Sequence, residues 1–227
     1  RKMSKQKQTH DPLNVDEALN TSEAFLLKYK NLFIGVVVAI VVIVCGIVGY
    51  NHFIGEPNEL KASEALFKGE QYFGNNEFEL ALNGDSLGYT GFLKIADEFS
   101  GTDAGNLANA YCGLCYAQLG KYEEATTYLD KFSADDYMVA PAILGTMGNC
   151  YAQMGQLDKA AATLLKAADK ANSTTLSPIF LLQAGQILEK QGKNAEAVDA
   201  YKQIKTKYAT SYQAMTIDKY IERASIK

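Results

Sequence analysis

Polar and apolar positions follow three rhythms along this chain, and each rhythm specifies a different kind of structure. Residues 1 to 20 are largely polar, the composition of a disordered segment. From Asp16 to Lys30 apolar side chains recur at helical intervals, at Ala18, Leu19, Phe25, Leu26 and Leu27, which predicts an amphipathic helix running into the next segment. Leu32 to Tyr50 is then an unbroken apolar run without a charge. Beyond Gly55 the apolar positions repeat every three to four residues, and only three prolines interrupt them, at 57, 141 and 178. That spacing belongs to successive amphipathic helices.

The uncharged run is long enough to be a membrane span. Thirteen of its 19 residues are Leu, Ile, Val or Phe, and at 1.5 Å per residue a helix of that length covers roughly 28 Å, the hydrocarbon thickness. At about −0.3 to −0.6 kcal/mol each, the strongly apolar residues favour insertion by about 4 to 8 kcal/mol. Strands rarely reach this length, and in lipid only a helix satisfies its own backbone. The run exceeds a signal-peptide core, no small-x-small cleavage site follows Tyr50, and Val44 stands where a lipoprotein box before Cys45 needs a small residue. Lys28 and Lys30 abut the run on its amino side, whereas His52, Glu56 and Glu59 follow it. The positive-inside rule then gives three parts. They are a cytoplasmic tail over 1–31, an inner-membrane helix over 32–54, and a repeat domain over 55–227 outside the cytoplasm, in the periplasm of a Gram-negative host.

Within that last part the helices repeat. Aligning on Gly120, Gly155 and Gly192 gives periods of 35 and 37 residues. The middle copy reads Leu144-x-x-Met147-Gly148-x-x-Tyr151, Gly155, Leu157, Ala160-x-x-x-Leu164, Ala167. The copy before it reads Cys112-Gly113-x-x-Tyr116, Gly120, Tyr122, Ala125-x-x-x-Leu129. The copy after it reads Leu181-x-x-Ala184-Gly185-x-x-Leu188, Gly192, Ala197-x-x-x-Tyr201, with Asn194 where the others have a larger apolar or aromatic residue. The small residues at 113, 148 and 185 allow two helices of a hairpin to approach, and 125, 160 and 197 are their small partners. Pro141 and Pro178 suit helix starts. An earlier copy begins near Ala62, with Gly69, Tyr72, Phe78 and Ala81 in phase. Its second helix is interrupted by the glycine-rich stretch Asn83–Gly91, which reads as a plain surface loop or as a functional loop at the groove edge. Helical pattern resumes at Phe92, and Thr102 is placed to cap the next helix. At the far end Ser211 opens a last helix carrying Met215, Ile217, Tyr220 and Ile221, a cap over the final hairpin.

These residues resemble the tetratricopeptide repeat superfamily over about 165 residues. The resemblance implies an all-α fold: one amino-terminal transmembrane helix, then an α-solenoid of about four helical hairpins and a capping helix. The plan of tail, span and extracytoplasmic array is also similar to the YfgM-like ancillary proteins of the bacterial Sec translocon. That similarity implies a periplasmic adaptor or chaperone working with membrane-bound partners or exported clients. A structural assembly factor of the cell envelope is the alternative.

Charge and cysteine content narrow the chemistry. The tail to Asn31 has six basic and four acidic residues, the remainder 16 and 22, so the repeat part is acidic and offers no basic surface for nucleic acid. Cys45, Cys112, Cys115 and Cys150 are too unevenly spaced for a disulfide framework, and the Cys112–Cys115 pair lies inside a predicted helix rather than at a redox-active helix start. Cys115 and Cys150 share a repeat position and could approach one another. His10 and His52 pair with none of them as a zinc set. No nucleophile–base pair, carboxylate pair or phosphate loop is present. The expectation is a non-enzymatic protein with no cofactor, metal or small-molecule substrate, which binds other proteins and, through residues 32–54, the bilayer. Stacked hairpins leave alternate positions of each first helix on the concave side. Counted from the repeat these are Tyr111, Leu114 and Gln118, then Gly145, Asn149 and Gln153, then Leu182, Gln186 and Lys190. Their amide-rich surface suits a peptide or a partner helix.

Overall fold

The structure, a computed structural model, describes residues 15–226, with side chains from residue 28 onward. Among these residues every regular element is helical. The chain divides after Ile54 into two compact units.

The first unit is built on α1 (Val15–Tyr50), a single helix of 36 residues. The leader through residue 14, expected to be disordered, lies outside the described residues. Residues 15–20 are helical rather than disordered, as the helical spacing from Asp16 onward implies: a long helix propagates into flanking polar residues at little cost once it is nucleated. Over the apolar run the large side chains are exposed, Leu32 at 64 % and Val42 at 65 %. The helix is long and apolar enough to cross a membrane. One π-helical turn, Asn51–Gly55, follows it.

The second unit is a run of hairpins. Its first helix, α2 (Glu56–Gly74), is answered by two short helices, α3 (Phe78–Asn83) and α4 (Phe92–Glu98). Three regular hairpins follow: α5 (Asp103–Gln118) with α6 (Tyr122–Lys131), α7 (Val139–Gln153) with α8 (Leu157–Ala171), and α9 (Ser177–Lys190) with α10 (Asn194–Lys207). Each regular first helix ends at the aligned glycine, where φ is +75° at Gly120, +74° at Gly155 and +75° at Gly192. A left-handed residue there lets the chain reverse into the second helix, and glycine takes that conformation without strain.

The matched small residues sit where the helices meet. A Cβ on Gly148 would lie 2.7 Å from Leu164 Cγ and 3.3 Å from the Ala160 carbonyl oxygen; on Gly113 it would collide with Leu129, and on Gly185 with Tyr201. Ala125, Ala160 and Ala197 are fully buried opposite them. Close-packed interiors tolerate no added methyl at such a point.

The glycine-rich interruption is a packed element. Asp85, whose side chain is 6 % exposed, binds Lys68 Nζ at 2.7 Å. It also accepts the Tyr72 hydroxyl at 2.6 Å and the backbone N–H groups of Leu87 and Tyr89 at 2.8 Å each. These bonds fold the loop so that Tyr89 enters the core, 4 % exposed, and donates its hydroxyl to the Ala81 carbonyl at 2.8 Å. Gly69 leaves the room: a Cβ there would strike Tyr89 and Phe92. The stretch is thus a surface loop, exposed at Leu87, that also delivers Tyr89 beside Phe92 into the space over Gly69, the place that Leu129, Leu164 and Tyr201 fill over the glycines of the regular hairpins.

The carboxyl end is closed by a 3₁₀ turn, Gln213–Thr216, and α11 (Ile217–Ile226). Ser211 caps the turn, accepting from Ala214 N–H at 3.2 Å, so the helix itself begins later than the sequence suggests. Ile217 and Ala224 are buried against α10, whereas Met215, expected on the same packing face, is 78 % exposed because the turn rotates it outward. The remaining outward residues of α11 are largely charged, as a terminal cap requires.

Candidate partner-binding face

The exposed side of the first helices is set by the same alignment that buries the glycines. Gln118, Gln153 and Lys190 each stand five residues after their glycine, and Asn149 and Gln186 one residue after. All five are exposed, turned about 100° (one residue on) to about 140° (five residues on) from the glycine that faces the second helix. The first helices are neighbours: α5 contacts α7 directly, and Phe180 of α9 lies against Gly145 of α7. Repetition of one register on adjacent helices therefore produces a stripe of amides ending in a lysine.

The other residues expected on this face are drawn inward. Gly145 is buried beneath the Phe180 ring. Leu114 and Leu182 are half-buried, Leu114 on the cluster joining α5, α6 and α7, Leu182 on the core of α8 to α11. Tyr111 stacks on Phe92 of α4, with ring centroids 4.8 Å apart and planes 9° apart, and its hydroxyl donates to Glu70 at 3.0 Å. Burial, with Glu70 second, pushes its pKa up to about 12. Its place in the stripe register belongs to Ala110, which is 2 % exposed. Leu114, Leu182 and Tyr111 are thus packed against neighbouring helices rather than presented with the exposed amides.

One polar cluster at the end of the stripe has no counterpart in the sequence pattern. The Glu189 side chain, 6 % exposed, accepts from Arg223 Nε at 2.8 Å and Nη2 at 2.6 Å, and from the Tyr201 hydroxyl at 3.2 Å. Glu189 and Arg223, with Gln186 and Lys190, line a shallow depression of about 320 Å³. The bidentate pair fixes α11 against α9 and leaves Lys190 beside a guanidinium at the stripe's end.

No thiol chemistry accompanies the face. Cys112, Cys115 and Cys150 are buried and free. Burial raises all three thiols, Cys115 to about 12, and for Cys112 the neighbouring Cys115 adds to the effect. Such thiols stay protonated and act as small apolar residues. Among the described residues no group of three or more His, Cys, Asp or Glu could hold a metal ion.

No curated protein matches the chain. Family models of the tetratricopeptide repeat match residues 141–169, which form α7 and α8, and residues 180–211, which cover most of α9 and all of α10. Register, hairpin geometry and these matches agree: the chain carries tetratricopeptide repeats over α7 to α10, and such repeats support a module for binding other proteins.

Proposed function

We propose that the protein is a membrane-anchored adaptor or chaperone whose repeat unit recruits partner proteins outside the cytoplasm, without catalytic activity. The observation that carries this reading is the repeated register of Gln118, Asn149, Gln153, Gln186 and Lys190. Exposed amides and a lysine in one register offer donors and acceptors to an extended backbone or a polar helix face, while the half-buried Leu114 and Leu182 give it an apolar floor. Stacked hairpins of this kind curve, which makes the first-helix side concave.

The anchor in this reading is α1 from Leu32 onward, oriented by Lys28 and Lys30 with the tail in the cytoplasm. An anchored binding module works at high effective concentration on partners in the same membrane, such as a protein-export complex of the Sec type and the chains emerging from it. Chemical crosslinking in intact cells followed by mass spectrometry tests the reading. The expected products contain a membrane complex or exported proteins; recovery of neither contradicts the adaptor role. A truncation lacking residues 1–54 is expected to lose those products while remaining helical.

A further inference from the structure

The hairpins of the repeat unit are not joined equally. Buried residues gather in one cluster within α2 to α5 and a second within α8 to α11. Between the two clusters stands a smaller one, Ala110 of α5, Leu129 of α6, and Ile143 and Met147 of α7, with Leu107, Leu114, Phe132 and Tyr151 partly buried against it. The reason is the length of α6, which has 10 residues where α8 has 15 and α10 has 14. The missing turn leaves a cavity of about 280 Å³ lined by Leu129, Phe132, Ala134, Ile143, Met147 and Lys166, among others. Accordingly α6 lies along α7 over far less of its length than α8 does along α9.

The connections also differ in where they are held. Between α8 and α9 the chain is locked into the core by Ser177, fully buried, which donates to the Ala168 carbonyl at 2.7 Å and accepts from Ser173 N–H at 2.9 Å. Between α4 and α5 it is held by Glu59, whose carboxylate accepts from Asp103 N–H at 2.7 Å and Ala104 N–H at 2.9 Å. Between α6 and α7 the chain is tied mainly at its two ends. Ser133 exchanges two backbone bonds with the Asn106 side chain of α5, at 2.7 and 3.0 Å, and Asp136 caps α7 through the N–H groups of Met138, Val139 and Ala140. Ala134 and Asp135 lie between the pins. Asp135 is fully exposed, and its one ion pair, to Lys170, is long at 3.4 Å.

We infer that the repeat unit consists of two stiff blocks, α2 to α6 and α7 to α11, hinged at Ala134 and Asp135. A smaller buried cluster, a cavity on the seam and two residues tied by no more than one long ion pair are what a hinge requires. The seam crosses the candidate stripe between Gln118 and Asn149, so bending changes the spacing of the first helix's contribution relative to the rest. One module can in this way fit partners of different width.

Distances between paired spin labels on the full chain in detergent micelles test the hinge. Thr127, Ala162 and Asp199 occupy equivalent exposed positions on α6, α8 and α10. In a Cys45→Ser background, Thr127→Cys with Ala162→Cys spans the seam, and Ala162→Cys with Asp199→Cys lies within one block. The buried native thiols do not take the label. The distance distribution across the seam is expected to be at least twofold broader than the one within the block; equal widths would overturn the inference. Ala134→Leu, which fills the cavity, is expected to narrow the seam distribution towards the control with helicity unchanged. A helical Ala134→Leu protein with undiminished breadth would equally overturn it, and if that variant does not fold the comparison of the two wild-type pairs decides.

Discussion

At the residue scale, the fold depends on a few positions where nothing larger than hydrogen fits. Gly148→Ala places a methyl 2.7 Å from Leu164, a fully buried side chain with no free space to enter. A loss of about 1–3 kcal/mol in urea unfolding is expected, the cost of overpacking a closed core. Gly155→Ala meets no atom within 4 Å but must hold φ near +74°, and is expected to cost about 1–2 kcal/mol from backbone strain alone. Wild-type stability for Gly148→Ala would show that the hairpins do not share the seam described above. These glycines were legible in the sequence because a fixed period brings them into register. Tyr111 was misplaced by the same method: Gly145 and Leu182 stand three residues before their glycine, Tyr111 only two before Gly113. A shift of one residue turns a helical side chain by about 100°, enough to carry it from the stripe to the stack on Phe92.

At the element scale, the departures from a regular hairpin carry their own chemistry. Tyr89→Ala removes a buried ring from the first core cluster and is expected to cost about 3–5 kcal/mol, measured by thermal or urea unfolding. The loop that delivers Tyr89 depends on Asp85, whose carboxyl is held well below the usual carboxylate range by Lys68 first and then by Tyr72. A depressed folded-state pKa stabilises the protein above the unfolded value of about 4, and that contribution disappears as pH falls towards the folded value. Asp85→Asn is therefore expected to lower stability at neutral pH and to flatten the acid limb of the stability–pH curve below about pH 4. An unchanged acid limb would show that Asp85 does not hold the loop. Composition revealed the interruption here but not its packing, because the partners Lys68, Tyr72 and Asp85 form a set only once α2 and the loop are folded together. Glu189 and Arg223, 34 residues apart, escaped sequence reading for the same reason. Periodicity reports which face of a helix is buried, and says nothing of which distant charge completes a pair.

At the scale of the whole molecule, the chain joins an apolar helix able to cross a membrane to a repeat unit whose first helices present one polar stripe. The helix, the hairpins and the cap were all readable from residue spacing, since each follows from a hydrophobic period long enough to be unambiguous. The hinge was not, because it depends on the length of α6 and on two polar pins whose partners lie elsewhere in the fold. The proposed topology predicts that protease added to membrane vesicles of known sidedness cleaves the tail from the cytoplasmic side and leaves residues 55–227 protected; the reverse pattern would invert the orientation. The most direct measurement places a photoactivatable crosslinking residue, one position at a time, at Asn149, Gln186, Ala162 and Asp199 of the anchored protein in cells. Adducts are predicted from the first-helix positions 149 and 186 and not from the second-helix positions 162 and 199. Equal adducts from all four, or adducts from the second helices alone, would contradict partner binding through the stripe.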